Sequence, residues 1–251
     1  MSYPESGITF CIKDWAACAP GLTCQQDWQE WSAGKKAPSV DQSFDVKQVP
    51  PMLRRRLGTL GKAVAYTLCQ IAWDAHIPSV FCSRHGAIQQ TYKLLSDLAD
   101  EKPLSPAHFS LSVHNAIAGM LSIARKDVSS ITALSAGADG LWQMLLEAYG
   151  QLGQPDVEEV LCVIYDEPLP ELYTRYVNDT PFTHALSFVL SKQKDKGQAM
   201  TLKSVDLHHA SSARDKDTPP ALQFIRFLST DTLNQIVSTG HSNQWMLSKT
   251  E

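Results

Sequence analysis

Six apolar residues in a row, Val160-Leu161-Cys162-Val163-Ile164-Tyr165, constrain this chain more than any other feature. A run this short, with no polar alternation, reads as a strand covered on both faces. Such a strand needs helices on both sides of its sheet, and the sequence supplies them. Ala138 to Leu152, just upstream, reads as a helix opened by the small-residue turn Ser135-Ala136-Gly137. Shorter apolar runs read as further strands: Ile8 to Ile12, Pro78 to Cys82 and Ser130 to Ala133. Between them, Leu53, Leu57, Leu60, Val64, Leu68, Ile71 and Ala72 recur at three- and four-residue steps, which predicts one helix from Leu53 to Ala75 after Pro50-Pro51. Gly86 to Ala99 has the same spacing through Ile88, Tyr92, Leu95 and Leu98, until Pro103-Leu104-Ser105-Pro106 breaks it. Val113 to Ala124 is another helix, with Ala116, Ala118 and Gly119 small enough for close helix approach. Strands alternating with helices predict an α/β fold with a mixed, mainly parallel sheet flanked by helices.

The pattern changes after Pro170. His184 to Leu190 and Ala199 to Val205 are extended runs joined by a polar stretch, and read as an antiparallel pair. Ser211 to Pro220 reads as a loop, Ala221 to Phe227 and Thr232 to Val237 as helices, and Trp245-Met246-Leu247 as a closing edge strand. Near the start, a polar stretch with Trp15, Trp28 and Trp31 leads into a loop from Gly34 to Asp45. There is no internal repeat, no low-complexity tract and no convincing boundary, so residues 1–251 are expected to form a single domain.

Hydrophobic residues make up 43% of the chain and charged residues 19%, enough for a packed core. With a net charge of −4, no stretch is basic enough to suggest a nucleic-acid footprint. The basic cluster Arg54-Arg55-Arg56 is either a solvated helix face or a docking point for an acidic partner. No segment is apolar for long enough to cross a bilayer, and Met1 to Thr9 does not read as a signal peptide. A cytoplasmic location with reduced cysteines follows as the expectation. The six cysteines show no C-x-x-C spacing, and Cys11, Cys69, Cys82 and Cys162 read as buried small hydrophobes. His208-His209 is a weak metal signal, because neighbours on a strand point to opposite faces. Neither a metal nor a cofactor is expected.

The stretch Phe109-Ser-Leu-Ser-Val-His-Asn-Ala-Ile-Ala-Gly119, followed by Ser130-Ile-Thr-Ala-Leu-Ser-Ala-Gly137, resembles the β-ketoacyl synthases. In those enzymes a helix bearing an Asn and a Gly precedes a strand that ends Thr-Ala-Cys, and a small-residue turn opens the next helix. Asn115, Gly119, Ser122, Thr132, Ala133 and Gly137 match that pattern. Cys82-Ser83-Arg84-His85-Gly86 stands where the synthases have a Gly-rich strand end, and residues 184–205 resemble their late hairpin. The resemblance spans Phe10 to Val205. It is closer still to short, stand-alone synthase-like proteins and chain-length factors of type II fatty-acid-like pathways, including aryl polyene pathways. Pro50 to Leu57, Ser83 to Gly86, Phe109 to Gly119 and Asp166-Glu167-Pro168-Leu169-Pro170 carry that match. It implies one half of a thiolase-like fold. It also implies a non-catalytic accessory subunit whose partners are a ketosynthase subunit, an acyl carrier protein, or a second copy of itself.

The departures from the family are specific. The catalytic Cys position falls at Leu134, which has no lone pair with which to attack a thioester. The resemblance implies that the second, His-bearing half of the synthases is not represented in residues 1–251. Leu134 either keeps a vestigial pocket dry or simply packs the core. Ser135 is a displaced nucleophile or, better, a turn-forming and helix-capping residue. His114 is a general base or a helix residue with a structural hydrogen bond. His85, beside Arg84 at a strand end, is a candidate ligand contact, and Phe109 and Asn115 complete the expected substrate contacts. Asp166-Glu167 is an acid pair, a solvated loop or a partner contact. In the synthases the strand before the Cys pairs across a dimer, so the resemblance puts a partner interface on Ser130, Ile131, Thr132 and Ala133. Two further functions stay open: an acyl-thioester enzyme, either thioesterase or acyltransferase, using Ser135 or His114, and a scaffold that binds no acyl chain.

Overall fold

The apolar run at 160–165 lies in β4 (Glu159–Asp166), of which every residue but the last is buried. The computed structural model describes residues 7–39, 43–74, 76–177, 179–193, 197–205, 218–239 and 244–250. Around β4 are β1 (Ile8–Cys18), β2 (Ser79–Cys82), β3 (Ile131–Leu134), β5 (His184–Ser191), β6 (Gln198–Val205), β7 (Gln235–Thr239) and β8 (Gln244–Lys249). They form one eight-stranded sheet in the order β3-β2-β4-β5-β1-β6-β8-β7. β2 runs parallel to β3 and β4. The remaining neighbours are antiparallel. The expected mixed sheet is present, but by pairing it is mostly antiparallel. The physical reason is that the reversed strand β5 sits between β4 and β1, and a meander of β6, β8 and β7 extends the far side.

Helices cover both faces. α1 (Gln25–Ser32), α7 (Gly140–Leu152) and α9 (Pro220–Ser229) pack on one face, where Trp28, Trp142, Leu145 and Phe224 meet Val80, Cys162 and Phe188. α3 (Gly58–Gln70) and α6 (Ala116–Arg125) cover the other, where Leu60, Val64 and Leu121 meet Phe81, Val163 and Val189. Successive β4 residues alternate between the two cores: Val160, Cys162 and Ile164 on the α7 side, Leu161, Val163 and Tyr165 on the α3 side. Each such side chain contributes about 1.5–3 kcal/mol by leaving water. A bulge in β1 between Ile12 and Asp14 keeps this phase. It lets Phe10 and Ile12 share the α7-side core with Ala17 and Ala19. The extra residue, Lys13, reaches Glu159 at 2.8 Å.

Several expectations need correction. The helix predicted from Leu53 to Ala75 is two helices, α2 (Pro51–Arg56) and α3, and ends at Gln70. Gly58 breaks it with φ +60, a left-handed conformation that costs glycine little. Thr232 to Val237 is not helical. Its second half, Gln235 to Val237, enters β7, because pairing with β8 outweighs weak helical spacing. Trp245 and Leu247 lie in β8, which is an interior strand rather than the edge, and both are fully buried. Cys69 is exposed, on the outer side of α3. Two short helices escaped the periodicity. In α1, Asp27 accepts the backbone N–H groups of Thr23 and Cys24. α5 (Pro106–Ser112) starts with Pro at its first position and Ser105 as cap, so the expected break is itself a helix start. α4 (Ile88–Ala99) and α8 (Glu171–Thr174) complete the elements. His208-His209 and residues 211–217 lie outside the described residues. Among the described residues, no helix is long and apolar enough to cross a membrane.

Candidate functional site at the ends of the parallel strands

β3, β2 and β4 end side by side, with Cys82 paired to Leu134 on one flank and to Ile164 on the other. The carboxyl ends of parallel strands leave backbone groups unpaired, and ligands commonly bind there. Here the chain fills the position with its own polar side chains. Asp166, at the end of β4, accepts the Ser83 hydroxyl at 2.7 Å and the backbone N–H groups of Arg84 at 3.0 Å and His85 at 3.2 Å. The Ser83 hydroxyl in turn accepts the Gly86 N–H at 2.8 Å. The turn from Ser83 to Gly86 is therefore wrapped around one carboxylate. A second carboxylate orients its side chains. Asp179 accepts His85 Nε2 at 2.8 Å and lies 3.4 Å from the Arg84 guanidinium.

Behind Asp166, in register with it on β5, stands His184, which is 1% exposed. Burial pushes the Asp166 carboxyl up, against the pull of His184 and of the hydrogen bonds from Ser83, Arg84 and His85. Burial likewise pushes His184 down, against the pull of Asp166, the Phe182 carbonyl and Asp179. At Asp179 burial acts the same way, but the His85 hydrogen bond, the Thr180 N–H and Arg84 outweigh it and hold the carboxyl below its usual range. Burial raises the Cys82 thiol to about 12. Cys82 is thus a protonated, inert thiol one strand away from Leu134.

The residues singled out from the sequence fall into two groups. Leu134, His85, His114 and Ser135 come together around the Ser83–Gly86 turn. Leu134 is partly buried, packs on the α7-side core and accepts the Ser83 N–H at 3.2 Å. His114 Nε2 donates to the Ser83 carbonyl at 3.0 Å. Ser135, exposed, donates to the Arg84 carbonyl at 3.3 Å. Both hydroxyl and imidazole are thus engaged with backbone carbonyls. Phe109, 63% exposed, and Asn115 lie on an outer surface instead. Asp179 and His184 were not singled out by sequence. Each is a lone polar residue before or at the start of a strand, and only β5 pairing brings them to the seam. The sequence reads Asp166 as part of an acid pair, a solvated loop or a partner contact; in the structure its carboxylate is the centre of a hydrogen-bonded turn.

Ile131 to Leu134 form the end strand of the sheet, with Ile131 and Ala133 exposed. Between this edge and α6 runs a shallow groove lined by Trp73, Phe81, Ser122, Arg125 and Ile131. The Arg125 guanidinium lies over the Trp73 ring at 3.9 Å. Among the described residues, no group of three or more His, Cys, Asp or Glu side chains could hold a metal ion.

Residues 28–247 match the family described as β-ketoacyl synthase, N-terminal domain. The chain belongs to that family. A ketosynthase (ApeO) in complex with its chain length factor (ApeC) from Xenorhabdus doucetiae is a similar solved structure, with 29% identity, a TM-score of 0.78, and coverage of 96% of this chain and 99% of that chain. The ishigamide ketosynthase/chain length factor shares the fold at 12% identity and a TM-score of 0.65, over 96% of this chain and 99% of that one. So does a type II polyketide complex of a ketosynthase with its acyl-carrier protein, AntDE:AntF, at 13% identity and a TM-score of 0.67, over 97% of this chain and 100% of that one. Among curated proteins, none matches. At the end of β3 stands the partly buried Leu134, and the neighbouring thiol of Cys82 is fully buried.

Proposed function

We propose that this protein is a non-catalytic accessory subunit, chain-length-factor-like, that pairs with a ketosynthase in cytoplasmic type II fatty-acid or polyketide biosynthesis, specifically of aryl polyenes. We further propose that residues 1–251 act as one domain. What supports the reading is Leu134: where the resemblance puts the family's nucleophile, an aliphatic side chain ends a strand that is the sheet edge among the described residues. An unpaired edge with exposed Ile131 and Ala133 suits pairing with a second, similar sheet. Gly119 on α6 faces open space, and Ile123, Val113 and Phe109 beside it are exposed, so a partner helix can approach closely. Arg55 and Arg56, exposed beside Met52 at 81%, offer charge and apolar contact to an acidic carrier protein.

Co-expression with the neighbouring ketosynthases and carrier proteins, followed by affinity purification and size exclusion, tests this. A stoichiometric complex whose product length changes with this subunit is the expected result. Condensation of malonyl and acyl thioesters by the isolated protein would refute it, and a homo-oligomer that ignores ketosynthases would favour a scaffold. The thioesterase reading has little support, because Ser135 and His114 are each bonded to a backbone carbonyl rather than to one another.

A further inference from the structure

Residues 87–113 leave the sheet and return to it at nearly the same point. The two ends of this excursion touch: a Cβ added to Gly86 would stand 3.3 Å from His114 Cδ2, and His114 is bonded to Ser83 across the neck. Gly86 has φ +62, a left-handed turn at which the chain swings outward. Within the excursion lie α4 and α5, and neither has a single buried residue. The apolar stripe of α4 ends in Leu95 at 50% and Leu98 at 58% exposure, and Leu104 between the helices is 45% exposed. Burial therefore does little to hold this segment down beyond the contact of the partly buried Leu111 with the α3-side core. The rest of its fastening is polar and sits at the neck. Asp166 holds the turn that leads into it, Glu167 accepts the Gln89 N–H at 3.1 Å, and the Gln89 side chain donates to the Pro168 carbonyl at 2.7 Å. Farther out, the Tyr92 and Tyr173 rings meet edge to face at 6.0 Å.

We propose that α4 and α5 form a flap that opens as a unit about the Gly86–His114 neck, fastened to the sheet by the carboxylates of Asp166 and Glu167. Segments with few buried apolar contacts open at lower free energy than the core that carries them. A closed neck lets the segment open without disturbing β2 or α6. Opening moves Leu95, Leu98 and Phe109 together. The proposal stands on this chain alone and does not require a ketosynthase partner.

Hydrogen–deuterium exchange on the full-length isolated chain, read by peptide, tests it. In the unaltered protein, amides of residues 88–112 should exchange at least roughly tenfold faster than those of α7. Asp166→Asn should speed residues 84–112 about tenfold further and leave α3 and α7 unchanged. If that variant does not fold, Glu167→Gln removes only the Gln89 anchor and should give a smaller rise confined to the same residues. The proposal fails if residues 88–112 exchange as slowly as α7, or if either folded variant accelerates both regions equally. A flap without a ketosynthase complex would sink the functional reading and leave this one standing.

Discussion

α4 and α7 begin alike and end differently. Each follows a parallel strand, α4 after β2 and α7 after β3, and each carries an apolar stripe at helical spacing. α7 buries Leu141, Trp142, Met144, Leu145, Ala148 and Leu152, whereas α4 buries nothing. The difference lies in what stands opposite. α7 lies across β2 and β4 and under α9, while α4 lies beyond the strand ends against α5 and α8. Periodicity tells which side of a helix seeks a partner. It does not tell whether the same chain provides one.

The sharpest way to break this comparison is truncation. Leu145→Ala in α7 should cost about 2–5 kcal/mol, read as a shift in the urea midpoint, because it opens a cavity among fully buried neighbours. Leu98→Ala in α4 should stay within about 0.5 kcal/mol. Equal costs would mean that α4 is packed in solution. Glycines give the next contrast. A Cβ at Gly140 would stand 3.0 Å from Cys82 Sγ, so Gly140→Ala should lose about 1–3 kcal/mol. Gly119 has nothing within 4 Å, so Gly119→Ala should raise stability by about 0.5–1 kcal/mol. The same Gly119 variant should weaken any complex that uses this face.

His184 sharpens the comparison through pH. Its folded pKa is depressed by burial, so in acid the unfolded state takes up a proton that the folded state refuses. Its contribution is present above the ordinary His value of 6.5 and is lost as pH falls below that value. Asp166 acts oppositely: its raised folded pKa adds stability below the ordinary carboxylate value, and that contribution is lost as pH rises through the folded value. Unfolding midpoints between about pH 7 and 5.5 should therefore fall more steeply in the unaltered protein than in His184→Gln. A parallel pair of curves would mean that His184 is already charged when folded. The smallest effect belongs to the surface. Arg55→Glu with Arg56→Glu should leave the midpoint within about 0.5 kcal/mol. The pair should nevertheless weaken carrier-protein binding, measured by titration at low and high salt.

The strands that were legible were those whose residues are apolar without interruption. Val160 to Tyr165 could be nothing but a doubly covered strand. Pro78 to Cys82 read as a buried strand from its short apolar run, and His184 to Leu190 as an extended run paired with Ala199 to Val205. β7 was not legible, because Leu233, Ile236 and Val237 fit a helical step as well as an extended one, and pairing with β8 decided between them. The site divided similarly. Leu134 was found through the resemblance to the synthases, and His85, His114 and Ser135 because they lie in or beside elements whose order was readable. Asp179 and His184 were not, because Asp179 meets Arg84 and His85 across more than ninety residues of chain, and His184 meets Asp166 only through the register of β4 and β5.

Local chemistry in this sequence determined which segments extend, which coil, and that β3 ends on the aliphatic Leu134. Those properties depend on side-chain volume, branching and lone pairs, which each residue brings with it. Tertiary structure alone decided that β5 reverses between β4 and β1, that β8 is interior, that Asp166 becomes the hub of a turn, and that α4 goes uncovered. Each of these is a choice among partners distant in sequence, and it is settled by which contacts the whole sheet can satisfy at once.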